Sequence, residues 1–135
     1  MLADDDVDDR ELFTEAMTEI NASIKVRAVE DGERLMNELI QMAELPDLIF
    51  LDLNMPKKNG KECLSEIQLH KELKKIPVII YSTSISDKDI NALLNKGAHC
   101  LIRKPDSYDT LKDIFKKVIT NDFSSERNEE FLFNL

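Results

Sequence analysis

Ile49-Phe50-Leu51-Asp52-Leu53-Asn54-Met55-Pro56, with Gly60 four residues past the proline, places one carboxylate where an apolar run ends. Leu48 to Leu51 read as a strand buried on both faces, and Met-Pro-x-x-x-Gly reads as the loop leaving it. Asp52 is thus expected at the carboxyl edge of a parallel sheet, the edge where open α/β sheets bind their ligands.

Outward from that stretch the chain alternates strands and helices. Leu2-Ala3-Asp4 is a short apolar stub ending in acid, followed by Leu12, Phe13, Ala16, Met17 and Ile20 at helical spacing. Ile24 to Val29 alternates apolar residues with Lys25 and Arg27, as an edge strand would. Asp31-Gly32 then turns into a helix with Leu35, Met36, Leu39, Ile40 and Ala43 on its apolar face. Past Gly60, the residues Cys63, Leu64 and Ile67 mark a third helix, and Pro77 to Tyr81 a fourth strand ending in Ser82-Thr83-Ser84. Ser86 reads as a helix cap with Asp89 three residues on, and Gly97 as that helix's left-handed stop. A last strand, His99 to Arg103, ends at Lys104-Pro105. Ser107 then caps a helix carrying Leu111, Ile114, Phe115, Val118 and Ile119. Five strand–helix repeats with right-handed crossovers predict a parallel sheet with helices on both faces. The first strand has only three residues ahead of its acidic end, short for a central strand, and is read as having lost residues that paired there.

Composition narrows the class. The 135 residues make one domain, with 42% hydrophobic and 33% charged residues. No apolar stretch approaches the ~20 residues of a membrane span, and Met1-Leu2-Ala3-Asp4 opens no signal peptide, so a cytoplasmic protein is expected. Cys63 and Cys100 lie in separate apolar segments without metal-ligand spacing and read as buried free thiols. A formal net charge of −9 with no Lys/Arg stripe argues against nucleic-acid binding and for a protein or small-ion partner.

The strand ends carry the chemistry. Strand one supplies Asp4, Asp5 and Asp6, strand three Asp52, strand four Ser82 and strand five Lys104. Neighbouring carboxylates repel by ~4 kcal/mol per pair at 4 Å and an effective dielectric near 20, so the cluster needs cations. Mg²⁺, or Mn²⁺ in its place, and Lys104 would supply them. The metal's ligands would be Asp4, Asp5, Asp52 and the backbone carbonyl near Asn54. Such a site suits a phosphoryl group, with Asp52 as nucleophile and the Ser82 hydroxyl and Lys104 on its oxygens. Taken singly, each piece has a plainer meaning. The run from Asp4 to Asp9 would cap a helix, Ser82-Thr83-Ser84 would be a loop, and Lys104-Pro105 an exposed turn, while His70 and His99 would lie at the surface or a strand edge. Their order along four strand ends is what argues for one site.

These residues resemble the receiver domains of bacterial two-component response regulators, from Leu2 to about Ile119. The shared features are the Asp-Asp pair, Asp-x-x-Met-Pro-x-x-x-Gly, the hydroxyl after strand four, Gly97-Ala98 and Lys-Pro. The resemblance implies a flavodoxin-like (βα)₅ three-layer sandwich of sheet order 2-1-3-4-5. It also implies aspartyl phosphorylation by a sensor histidine kinase or phosphotransfer protein, and switching of a partner-binding face around the fourth and fifth helices. By position Asp52 is the phosphoacceptor, Asp4 and Asp5 the metal pair, Ser82 the switch hydroxyl and Lys104 the phosphate contact. A cis peptide at Lys104–Pro105 is also implied. Two positions depart from the family: Leu101 stands where an aromatic toggle is common, and Asp106 follows the Lys-Pro in place of a hydrophobic residue.

The expectation is a stand-alone phosphorelay regulator of the single-domain chemotaxis type, with a receiver over 1–120, an extension over 121–135 and no output domain. It would assist its own phosphorylation without a dedicated external substrate, and act on a downstream protein. The rivals are a pseudo-receiver scaffold, which intact Asp52, Ser82 and Lys104 oppose, and a haloacid dehalogenase-type phosphatase, whose Asp-x-Asp is met here by Asn54. Thr83, larger than the small residues often found after the hydroxyl, is expected to hinder an attacking water and prolong the phosphorylated state, and Ser84 offers no carboxylate to orient that water. The tail ends on Phe131-Leu132-Phe133-Asn134-Leu135, apolar enough to dock on its own domain or across a homodimer.

Overall fold

The computed structural model describes residues 1–121 and 132–135. In chain order these form β1 (Leu2–Ala3), α1 (Val7–Ile20), β2 (Ala28–Val29), α2 (Gly32–Gln41), β3 (Ile49–Leu51) and α3 (Gly60–Leu69). A 3₁₀ turn at Leu73–Lys75 leads to β4 (Val78–Ser82), α4 (Asp87–Asn95), β5 (Cys100–Arg103), α5 (Tyr108–Ile119) and β6 (Leu132–Phe133). All strand pairs are parallel, in the order β2-β1-β3-β4-β5-β6. The anticipated order of five is present, with a sixth strand added at the β5 edge.

Each helix begins the same way, its N-cap side chain accepting a hydrogen bond from the backbone N–H three residues on. Asp6 serves α1, Asp31 α2, Asn59 α3, Ser86 α4 and Ser107 α5. Each such cap is worth about 1 kcal/mol, and the acids among them also suit the positive end of the helix dipole. Asp6 is therefore spent on the helix and is not part of the acid cluster that the sequence suggested. Gly97 stops α4 at φ 112°, and a Cβ there would come within 2.6 Å of the Gln68 side chain.

Alternation along the strands sends side chains to two separate cores. Val78 and Ile80 of β4 pack with Leu35, Leu39, Leu64, Ile67 and Leu93 under α2, α3 and α4. Ile79 and Tyr81 face the other way, with Phe13 and Met17 of α1 and Phe115 of α5. There Phe13, Phe50, Tyr81 and Phe115 meet largely edge to face, with centroids 4.9 to 6.5 Å apart. Cys63 and Cys100 are buried free thiols, as expected, and burial pushes each up to about 12. Leu101 is fully buried and faces the α2–α4 side.

Three expectations need correction. The alternation from Ile24 to Val29 forms strand only over Ala28–Val29, because β2 pairs with β1 alone and β1 offers just Leu2 and Ala3. The α2 face is narrower than the periodicity implied: Ile40 is 55% exposed, and Ala43 lies past the helix end in solvent. No cis peptide bond occurs among the described residues, so Lys104–Pro105 is trans, the isomer favoured by ~0.5–1 kcal/mol.

The tail settles on its own domain. Leu132 lies opposite Leu101 and Phe133 opposite Ile102; the two side chains reach opposite faces of the sheet, and Asn134 donates to the Arg103 carbonyl at 3.0 Å. The polar stretch Ser124 to Asn128 lies outside the described residues. Both apolar side chains are half-buried, so removing everything after Thr120 should lower unfolding stability by ~1–3 kcal/mol in urea titration. An unchanged midpoint would mean that the β6 pairing contributes nothing.

Candidate functional site

β1, β3, β4 and β5 end side by side, and each delivers one polar group to the same edge. Asp4 follows β1 and is fully buried, Asp52 follows β3 at 6% exposure, and Ser82 closes β4 with no exposure at all. Lys104 follows β5, its side chain 8% exposed. The loop after Asp52 is fixed by Gly60: its N–H donates to the Leu53 carbonyl at 3.0 Å, and a Cβ on it would fall 2.3 Å from the Asp52 carbonyl oxygen. That close approach is why Met-Pro-x-x-x-Gly ends in glycine.

The two oxygens of Asp52 have different partners. Oδ1 accepts from the Ser82 hydroxyl at 2.8 Å and from the Asn54 backbone N–H at 3.3 Å. Among the described residues Oδ2 accepts from the Lys104 ammonium alone, at a long 3.4 Å. Lys104 is held more closely elsewhere, donating to Asp4 Oδ2 at 2.6 Å and to Asp9 Oδ2 at 2.8 Å. Its Nζ also stands 5.1 Å from the centre of the Tyr81 ring.

Asp4, Asp5 and Asp52 each bring a carboxylate oxygen within 4.8 Å of the others. Opposite ligands of an octahedral Mg²⁺ lie ~4.2 Å apart and adjacent ones ~3 Å, so this hard-oxygen set needs little movement to take such an ion. Asp5 is exposed, which leaves one side open to water or to a further ligand. Of the residues singled out at the strand ends, Asp4, Asp5, Asp52, Ser82 and Lys104 therefore lie in one cluster, and Asp6 does not.

Three contributors were missed by the sequence reading. Asp9 passed for one more acid in a helix-capping run, although as the third residue of α1 after the Asp6 cap it projects over the site while Asp8 remains exposed. Arg10 donates from Nη1 to the Asp4 carbonyl at 2.8 Å and so ties α1 to the β1 end. Tyr81, whose ring backs the Lys104 ammonium, had been read only as part of the fourth strand.

Burial raises the Asp4 carboxyl to about 6; the Lys104 hydrogen bond, the Asp6 N–H and the lysine charge oppose the rise, and Asp52 adds to it. Lys104 loses hydration, which lowers its pKa, yet hydrogen bonds to Asp4 and Asp9 and the charges of Asp52 and Asp4 hold it above the ordinary lysine value. Burial likewise keeps the Tyr81 phenol neutral well past its usual range.

The response regulator receiver domain family model matches residues 1–116. The chain is 35% identical to response regulator Rcp1 of Synechocystis over 123 residues, covering 87% of this chain and 82% of Rcp1. It spans about half of some longer relatives, such as the probable C4-dicarboxylate response regulator DctR of Bacillus subtilis, at 31% identity and 47% of that protein. Among solved structures, the phosphorylated cyanobacterial phytochrome response regulator RcpA superposes with a TM-score of 0.80 at 38% identity, over 87% of each chain. The Mn²⁺-bound form of Rcp1 gives 0.75 at 31% identity, over 87% of this chain and 88% of that one. No helix among the described residues is long and apolar enough to cross a membrane.

The Asp4 shift carries a pH dependence of known sign. Its folded pKa of about 6 stands above the ordinary 3.8, so between those values the folded chain keeps a proton that the unfolded chain has lost. The stability from this group is full below about pH 4 and is lost as pH rises through about 6, by ~3 kcal/mol at most. In urea unfolding without divalent metal, Asp4→Asn should gain on the parent as pH rises across that window. A difference that stays constant with pH would contradict a burial-raised Asp4.

Proposed function

Since this chain belongs to the response regulator receiver domain family, we propose that it is a response regulator that takes a phosphoryl group on Asp52. The observation that carries the reading is the asymmetry of Asp52. One oxygen is occupied by Ser82 and the Asn54 N–H, while the other points at a cation 3.4 Å away, a distance that leaves its lone pairs available.

Asp52 Oδ2 attacks the phosphorus of a phosphohistidine on a sensor kinase or phosphotransfer protein. A P–O bond forms as the P–N bond breaks, and the imidazole leaves with the bonding electron pair and takes up a proton. The transfer is governed by positioning and charge neutralisation. Lys104 meets the new negative charge from the β5 side, and the Ser82 hydroxyl can turn from Asp52 Oδ1 to a phosphoryl oxygen. A divalent cation, Mg²⁺ in this reading with Mn²⁺ as substitute, would be held by Asp4, Asp5, Asp52 and the Asn54 carbonyl and would supply further positive charge against the phosphoryl oxygens. The protein then acts as a switch without an external substrate of its own. Its outputs are a downstream protein target or onward passage of the phosphoryl group, through the face around α4 and α5. We place it in the cytoplasm, with the receiver over 1–120, and allow a homodimer through the β5–α5 side that the tail already borders.

Thr83 and Ser84 are both exposed beside Ser82 and carry no carboxylate to orient a water, which favours a long-lived phosphoryl group. Incubation with a small phosphoramidate or acyl phosphate and Mg²⁺, followed by intact mass measurement, should add one phosphoryl group to the parent and none to Asp52→Asn. In the same assay Thr83→Ala should lose it faster than the parent. A mass gain that survives in Asp52→Asn would remove Asp52 as the acceptor.

A further inference from the structure

Lys104 is shared unevenly, and the residue responsible is one that the phosphoryl chemistry does not require. An ammonium has three N–H donors, and here each is directed to a different carboxylate: Asp4 at 2.6 Å, Asp9 at 2.8 Å and Asp52 at 3.4 Å. Asp9 is not one of the three acids grouped for a metal ion. It comes from the first turn of α1, where the backbone is fixed twice over, by Asp6 accepting from the Asp9 N–H and by Arg10 gripping the Asp4 carbonyl. An acid present only to favour the helix N-terminus would point to solvent. The side chain of Asp9 is instead 28% exposed and in direct contact with a lysine that is 8% exposed.

Resting on the reading of Asp52 as phosphoacceptor, we propose that Asp9 is a positioning residue for Lys104, anchoring the ammonium toward α1 and competing with phosphorylated Asp52 for it. Asp4 and Asp9 differ as anchors. Asp4 is buried completely, whereas Asp9 is partly screened by water, so Asp9 is the partner that yields. A phosphoryl group on Asp52 raises the local charge to about −2 and brings oxygens within reach of the ammonium. The lysine then shortens its long contact to the Asp52 side at the expense of the Asp9 bond. Asp9 thereby sets how much of the Lys104 interaction is available before and after phosphorylation, and links the event to the first turn of α1.

Trifluoroberyllate, which occupies the position of a phosphoryl group without a covalent donor, tests this when titrated with saturating Mg²⁺ into four proteins: the parent, Asp9→Asn, Lys104→Met and the double variant. Asp9→Asn should bind the probe about five-fold more tightly than the parent, because the lysine is released to it, and the gain should shrink markedly when Lys104 is Met. Asp9→Ser should repeat the result, which guards against a folding defect of one substitution. Binding by Asp9→Asn that is unchanged or weaker would overturn the proposal. So would an equal or larger gain in the Lys104→Met background, since Asp9 would then act by repulsion alone. Failure of the parent itself to bind the probe would instead remove the phosphoacceptor reading and Asp9's role with it.

Discussion

One ammonium among three carboxylates is the constraint on which the site depends. Lys104 reaches Asp4, Asp9 and Asp52 from a strand end one hundred residues after the first of them, and no other side-chain cation is within bonding distance of the Asp4 or Asp52 carboxylate among the described residues. Unpaired, such charges would each carry the cost of a buried ion, several kcal/mol. Three carboxylates facing one ammonium leave the cluster net negative even with the lysine present, and burial adds to the cost of ionising Asp4. A further cation held there would offset that residual charge, and would in turn make an additional phosphoryl charge tolerable.

The fold exists at this edge to hold those groups still. β1, β3, β4 and β5 are adjacent and parallel, so their carboxyl ends fall together, and the buried alternation of β4 sets Ser82 toward Asp52 while Tyr81 anchors in the aromatic cluster behind Lys104. Gly60 lets α3 begin against the Asp52 carbonyl, and Arg10 ties α1 to the Asp4 carbonyl. Arg103, next to Lys104, donates to the Ile85 carbonyl in the loop after β4, and its own carbonyl receives Asn134 from the tail. The lysine strand is thus braced on one side by the loop that follows Ser82 and on the other by β6.

Strand ends were legible in the sequence because burial on both faces leaves a continuous apolar run, and whatever follows it is the exposed edge; Asp52 and Ser82 were located that way. Helix starts were legible through Ser86 and Ser107, whose hydroxyls have one obvious use. Asp9 was not, since an acid in a first turn has a sufficient local explanation and its second contact depends on a lysine far along the chain. The length of β2 was not legible either, because a strand forms only as far as its neighbour allows and β1 gave it two residues. The apolar ending of the tail signalled docking, but alternation over two residues could not say which edge it would join. The isomer at Lys104–Pro105 was inferred from resemblance alone, and the structure has trans.

The stability of Lys104→Met tests the electrostatic account most directly, measured by urea unfolding near neutral pH without divalent metal and again with Mg²⁺. The account predicts a metal-free loss of about 3 kcal/mol, the cost of leaving buried carboxylates without their partner, and a substantial recovery on adding Mg²⁺ or on acidifying below the Asp4 transition. A variant as stable as the parent in metal-free buffer would contradict it, for the three carboxylates would then not need the cation placed among them.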